Sequence, residues 1–374
     1  MLKFAIICMM LLLAGCVEQK RLEDLGMVTS AAADLAQNQE KDASSMKINV
    51  AIAIPIAGQT KGTQMNIIQT TAESTKEARR KLNRKVSQQL VSGQLQNLLF
   101  GEELAKHGIM HHLDSYRRDY SVSERMRLII TEGSSVQLLM HPYRRIASIS
   151  DAISALMLTE QKANVLPAGT LHDFIRDYFD DGIDPILPQI ALKQDAIEVS
   201  GIALFKDERY VSNIDPDQSI TFFMLLRSFK NGEVLVHIKD SSSTHPERAM
   251  LTSLISERKL SVRRADNGVT PPEVDFKIKL EGIMLEYIGE LKLEKEAAKK
   301  QLIAELQETL QSEMVGIVRR LQQLGTDSLG IGIAVRNSMS YGAWKKLNWE
   351  QVYPKTKVNV RLQLQIKDFG MIES

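Results

Sequence analysis

Between Val274 and Ile366 the hydrophobic period of this chain switches from two to about three and a half and back to two, which restricts the folds open to it. Val274, Phe276, Ile278 and Leu280 alternate strictly with charged residues, the pattern of a half-exposed strand. Ile303, Leu306, Leu310, Met314, Ile317, Leu321 and Leu324 then recur at threes and fours, so a long helix carries one apolar stripe. Gly325 fits the C′ position that ends such a helix. Ile331, Ile333 and Val335 read as another strand. Val358, Val360, Leu362, Leu364 and Ile366 alternate with Asn359, Arg361, Gln363 and Gln365 and form a final one.

Upstream, helical and alternating patterns are mixed in the same way. Ile48, Val50, Ile52, Ile54 and Ile56 predict a strand with one face more apolar than the other, and Pro55 puts its end near an edge. Gln37–Asp42 reads as a loop, Gly58–Gly62 as a turn, and Met65–Thr71 as the returning strand. Glu73–Leu90 predicts a solvated helix with Ala78, Leu82, Val86 and Leu90 on a narrow stripe. Strands are expected at Gln94–Phe100 and Met126–Ile130, short helices at Glu102–Ala105 and Ile109–Tyr116, and a helix at Ser219–Phe229. Asp180–Pro188, with two prolines, and Ala265–Gly268 are the candidate boundaries. The order of elements is α+β, without the regular βαβ repeat of a Rossmann or barrel fold.

The first sixteen residues read MLKFAIICMMLLLAGC. Lys3 precedes an apolar run, Phe4–Leu13, that ends in small residues before a cysteine, the layout of a secretory signal. A membrane span needs roughly 20 apolar residues, and this run is too short. Leu13-Ala14-Gly15-Cys16 resembles the bacterial lipobox, which implies cleavage between Gly15 and Cys16 and a diacylglyceryl group on the Cys16 sulfur. Two acyl chains anchor a protein stably where one does so only marginally. The other cysteine, Cys8, falls in the segment to be removed, so the mature chain is expected to hold no disulfide and no cysteine nucleophile. The 47 Lys and Arg less Lys3 leave 46, equal to the 46 Asp and Glu. Such a balance argues against a nucleic-acid footprint.

Patterns that carry chemistry are sparse. Gly58–Gly62 lacks the spacing of a phosphate loop, and there is no G-x-S-x-G elbow. His107 and His111, with His112, are spaced to share a helix face, but Gly108 interrupts that helix and a polar surface is the preferred reading over a metal site. Asp180, Asp181 and Asp184 do not match a calcium loop and read as a solvated linker. His141–Arg145 is a small basic patch, and Lys292–Lys300 reads as the outer face of its helix. No metal, cofactor or catalytic residue is expected.

The segment Leu324-Gly-Thr-Asp-Ser-Leu-Gly330, followed by Tyr341–Trp344, Asn348-Trp349-Glu350, Tyr353-Pro354 and a last strand ending at Gly370, resembles the C subunit of the spore germinant receptors, the spore germination lipoprotein family. Glu23–Val28 with Ala33-Asp34, Phe100–Ala105 with Gly108-Ile109, and Val199–Lys206 are similar to that family in the same order, while Ser92–Asn97 departs from it. The resemblance implies three mixed α/β domains, each a mostly antiparallel or mixed sheet with flanking helices. With the boundaries above, these are 16–185, 186–268 and 269–374, after a signal peptide at 1–15. It further implies a non-enzymatic lipoprotein at the outer face of the inner spore membrane, beside two integral-membrane receptor subunits. A lipid-anchored solute-binding protein of a transporter is the alternative. Trp344, Trp349, Gly325, Gly330 and Gly332 are read as architecture rather than ligand contacts.

Overall fold

A computed structural model describes residues 24–36, 46–56, 64–238, 247–263 and 272–369. The segment 1–15, Cys16, the Gln37–Asp42 loop, the Gly58–Gly62 turn and the Ala265–Gly268 boundary lie outside the described residues. The first part of the chain runs β1 (Leu25–Met27), β2 (Ser30–Leu35), β3 (Ile48–Pro55), β4 (Met65–Ala72), α1 (Thr75–Asn83), β5 (Gln89–Val91), β6 (Asn97–Gly101), α2 (Glu102–His107) and α3 (Met110–Arg117). It continues through β7 (Arg127–Glu132), α4 (Ser135–Met140), α5 (Ile149–Lys162), α6 (Leu171–Phe179), β8 (Ile186–Lys193), β9 (Ala196–Lys206) and β10 (Arg209–Ile214).

Eight of these strands form one sheet in the order β10-β9-β8-β7-β6-β2-β3-β4. Its centre, β2, β6, β7 and β8, is parallel, and both flanks are antiparallel. Parallel strands are covered on both faces, which accounts for the unbroken apolar runs Leu98-Leu99-Phe100 and Leu128-Ile129-Ile130, all buried. β3 is also covered on both faces. Val50, Ile52 and Ile54 pack on one side, while Ala51 and Ala53 on the other leave room for α4. The edge is β4 rather than β3, and two of its carbonyls, Thr71 and Gln69, accept from Lys81 and Lys85. The boundary expected at 185/186 lies inside this sheet, because β8, β9 and β10 extend it.

The helix expected at Glu73–Leu90 ends at Asn83, whose side-chain oxygen accepts from Leu90 N (3.0 Å). That turn releases Gln89–Val91 to pair with β1. The helix expected at Ser219–Phe229 similarly stops at Leu226, since Phe229-Lys230 joins a strand.

The second part comprises α7 (Ser219–Leu226), β11 (Phe229–Lys230), β12 (Val234–Ile238), β13 (Glu247–Arg263), β14 (Glu273–Ile288), α8 (Glu296–Leu324), α9 (Ile331–Asn337), α10 (Tyr341–Leu347), α11 (Trp349–Val352) and β15 (Lys357–Asp368). Its five-stranded sheet has the order β11-β13-β14-β15, with β12 also on β13. β13 and β14 form a long antiparallel pair across the boundary expected near 268, and β15 lies parallel to β14 after the crossover through α8. Leu302, Leu306, Leu310, Met314, Ile317, Val318 and Leu321 of α8 are buried against the inward residues Val274, Phe276, Ile278 and Leu280 of β14 and Val360, Leu362 and Leu364 of β15. Gly325 ends the helix in the left-handed region at φ 69°. One hydrophobic core contains these side chains together with Leu99, Ile129, Ile190 and Leu204 of the first sheet, so the two sheets share an interior. The fold is α+β, with mixed sheets and flanking helices.

Ile331–Val335 is helix, not strand. Ile331, Gly332 and Val335 are its buried side, which is a helical spacing, and the Asp327 carboxylate accepts from Ile331 N (2.8 Å) and Gly332 N (2.6 Å). A side chain four and five residues back thereby satisfies the first free N–H groups and selects the helix over the alternation.

Candidate functional site

The segment between α8 and α9 meets the loop between α6 and β8, and the contact is made by backbone and side chains together. Asp184, buried among these residues, accepts from Asp327 N (2.7 Å) and Asp207 N (2.9 Å), while its own N–H donates to Asp327 O (3.1 Å). Asp327 accepts a third bond from Trp349 Nε1 (3.0 Å) in addition to the two that start α9. Thr326 donates its hydroxyl to Phe205 O (2.5 Å) and its carbonyl accepts from Tyr353 OH (3.0 Å). Gln322 ties the end of α8 to the approach to β15 by donating to Tyr353 O (3.0 Å) and Thr356 O (2.7 Å).

Two glycines make the close approach possible. Gly182 takes φ +98°, and its carbonyl accepts from Ile333 N (3.0 Å). A Cβ there would lie 2.6 Å from the Gly332 carbonyl carbon. A Cβ on Gly332 would lie 2.4 Å from Trp349 Nε1 and 2.6 Å from Gly182 Cα. Trp344, Trp349 and Tyr353 stack in series across the joint, with centroids 5.8 Å and 5.5 Å apart. Arg336 donates to Asp180 Oδ1 (2.5 Å) and Asp181 O (2.7 Å), and Lys345 to Asp181 Oδ2 (2.9 Å). The Asp180–Asp184 stretch is therefore the seam of the molecule, not a solvated linker: Asp180, Asp181 and Asp184 each have a partner about 150 residues further along.

Electrostatically the seam is tense. Burial pushes the Asp327 carboxyl up to about 7, against the pull of Gly332 N–H, Ile331 N–H and Trp349 Nε1–H, and the charge of Asp184 adds to the upward shift. Burial also raises Asp184, opposed first by Lys206, whose Nζ lies 3.6 Å from Oδ2. Burial, with both carboxylates adding, raises Tyr353 well above the ordinary tyrosine value. Beside the joint opens a cleft of about 270 Å³ bordered by Asp181, Lys206, Trp344, Lys345, Trp349 and Glu350.

The remaining expected residues fall elsewhere. His107 and His111 sit on different helices, α2 and α3, with Gly108 at φ +106° between them. His107 Nδ1 bonds Glu103 O (2.8 Å), and buried His112 packs by Phe100, its pKa lowered to about 4 by burial and then by His111. No group of three His, Cys, Asp or Glu able to hold a metal occurs among the described residues. His141 Nε2 lies 2.9 Å from Asp195, and Lys299 pairs with Glu296 at 2.8 Å in the first turn of α8. Trp344, Trp349 and Gly332 pack at the joint, and Gly325 and Gly330 take positive φ at backbone turns.

Two polar hubs, half-buried Asp34 and buried Asn97, had no legible signal. Asp34 accepts from Ser135 N (2.8 Å), Ser135 Oγ (2.6 Å) and Val136 N (3.0 Å), as well as from Ser134 Oγ, and so begins α4. Asn97 donates to Ser30 Oγ, Ser150 O and Ser154 Oγ, tying β6 to β2 and α5. Both bond partners at least 53 residues away, which no local pattern announces.

The whole chain has relatives. Residues 18–192 match the spore germination protein N-terminal domain, and residues 200–370 match the "Spore germination B3/ GerAC like, C-terminal" model. Spore germination protein GerQC of Bacillus cereus is 24% identical over 361 residues, 96% of each chain. The putative spore germination protein YfkR of Bacillus subtilis (strain 168) is 21% identical, covering 97% of this chain and 94% of its own. The crystal structure of the GerBC protein superposes with a TM-score of 0.55 at 15% identity, over 90% of this chain and 97% of that one, and so shares the fold. With both halves matched and the seam residues lying in the matched stretches, the chain belongs to the family of spore germinant receptor C subunits.

Proposed function

We propose that this chain is a non-enzymatic subunit of a nutrient germinant receptor, tethered by a lipid on Cys16 to the outer face of the bacterial cytoplasmic membrane, the inner membrane of the spore. There it stands beside two integral-membrane subunits and works by assembling the complex or relaying a conformational change. The observation that carries this reading is the Asp184–Asp327 seam, where Asp327 N–H donates to the Asp184 carboxylate and Asp184 N–H to the Asp327 carbonyl, which couples the two sheets and so makes a body able to pass on a displacement. The Lys3–Cys16 signal pattern supports the tether, and no helix among the described residues is long and apolar enough to cross a membrane. A tether confines the folded part near its membrane partners and raises their effective concentration.

Cys16→Ala tests the anchor: the variant is expected to leave the membrane fraction and to slow germination, and normal fractionation with normal germination would refute it. The alternative, a lipid-anchored solute-binding protein of a transporter, draws support from the polar cleft beside the seam. Calorimetric titration of the purified chain with amino acids, sugars and nucleosides separates the two. Micromolar binding by this chain alone would replace the assembly reading with the binding one.

A further inference from the structure

The outer face of the second sheet, turned away from α8, carries an unusual row of charge. Lys259 of β13 lies directly opposite Lys277 of β14, which lies directly opposite Arg361 of β15. All three side chains are exposed, and none has a carboxylate within ion-pair distance among the described residues. Neighbouring strands are about 4.8 Å apart, so three cations sit in a line roughly 10 Å long. Like charges directly opposite one another in a sheet oppose its stability.

The neighbouring rows are built otherwise. Toward one end, Arg263 reaches Glu273 (3.0 Å) and Asp275 (2.7 Å), Lys357 also holds Glu273, and Asn359 bonds Asp275 (3.0 Å). Toward the other, Glu281 takes Lys279 (3.4 Å) and Lys367, and Glu257 stands opposite Lys279. The central row alone makes no ion pair among the described residues, although the Arg361 charge also helps to hold Asp275 below its usual value, and a groove of about 330 Å³ runs along it.

We propose that this row is a docking site for an acidic segment of a partner protein, with carboxylates spaced about 5 Å apart along one face, as at i and i+4 of a helix. The charge pattern selects the class of partner. The unpaired cations are confined to one line roughly 10 Å long between rows whose carboxylates are mostly paired, which fits a narrow acidic ridge rather than a broad anionic surface such as a lipid bilayer. No side chain of the row is apolar enough to enter a membrane. The proposal stands on this geometry and does not depend on the lipid at Cys16.

The test uses the full-length chain in non-ionic detergent and, as probe, a short alanine-rich helical peptide with Glu at every fourth position. Its Gln counterpart is the control. By fluorescence anisotropy at low salt the Glu peptide binds, the Gln peptide does not, and raising the salt weakens the complex. The combined variant Lys259→Gln, Lys277→Gln, Arg361→Gln binds about tenfold more weakly, while Lys300→Gln, which removes an exposed lysine of α8 outside the groove, leaves binding unchanged. Lys277→Glu separates docking from folding: it pairs with Lys259 and Arg361, so the midpoint of thermal unfolding rises while peptide binding is lost. Equal binding by the combined variant and the parent, or none by the parent, overturns the proposal. Binding to vesicles of phosphatidylglycerol and phosphatidylcholine is compared between parent and combined variant, so that any lipid on residue 16 cancels. A loss there without peptide binding would assign the row to the membrane instead.

Discussion

Asp327 holds three N–H groups on a carboxyl that burial would rather keep neutral, and that conflict makes it the most informative residue to change. In Asp327→Asn at least one of those N–H groups faces an amide NH₂ and loses its acceptor. The expected cost is about 1–3 kcal/mol, read as a lower urea midpoint with an unchanged slope. The pH dependence has a definite sign. A carboxyl titrating near 7 when folded and near 3.8 otherwise binds an extra proton in the native state between those values. The stability it lends is full below about pH 4 and is lost as pH rises through about 7. The raised carboxyl of Asp184 acts in the same direction. The parent's advantage over Asp327→Asn should therefore shrink between pH 5 and pH 8 in urea titrations, and a growing advantage would contradict the assignment.

At the scale of elements, α8 does two jobs with two faces. Its buried stripe fills the second sheet, so Leu310→Ala, at a fully buried position, should cost about 2–5 kcal/mol in denaturant unfolding. Its flank guards the sheet edge: Gln311 Oε1 accepts from Leu362 N (2.9 Å) and Gln307 Oε1 from Leu364 N (3.0 Å). β15 is otherwise an open edge, and open edges invite strand pairing between molecules. The double variant Gln307→Ala, Gln311→Ala should self-associate in light scattering at concentrations where Gln301→Ala, away from the edge, remains as the parent. The strands on either side of α8 were legible because each has one wet face, which imposes alternation. Ile331–Val335 reads as a strand because a five-residue apolar segment fits either period, and the deciding contacts are the hydrogen bonds that Ile331 N and Gly332 N donate to the Asp327 carboxylate.

Across the whole molecule, the seam and the shared core bind the two sheets into one body. Leu99 and Ile190 of the first sheet belong to the same hydrophobic interior as Phe276 and Leu306 of the second part. Heating should accordingly give a single calorimetric transition, and two well-separated ones would contradict a continuous core. Gly332→Ala, whose Cβ would press on Trp349 and on the Gly182 backbone, should lower that transition temperature and impair germination. The sequence alone determined the α+β class, the long helix with its Gly325 stop, the alternating strands, the signal-like start and the family. Each of those is written in local period or residue order. Tertiary structure decided that Asp180–Asp184 is a seam, that strands after residue 185 complete the first sheet, and that three cations from β13, β14 and β15 line up. Register and long-range hydrogen bonds join residues tens to more than a hundred positions apart, and no local pattern encodes them.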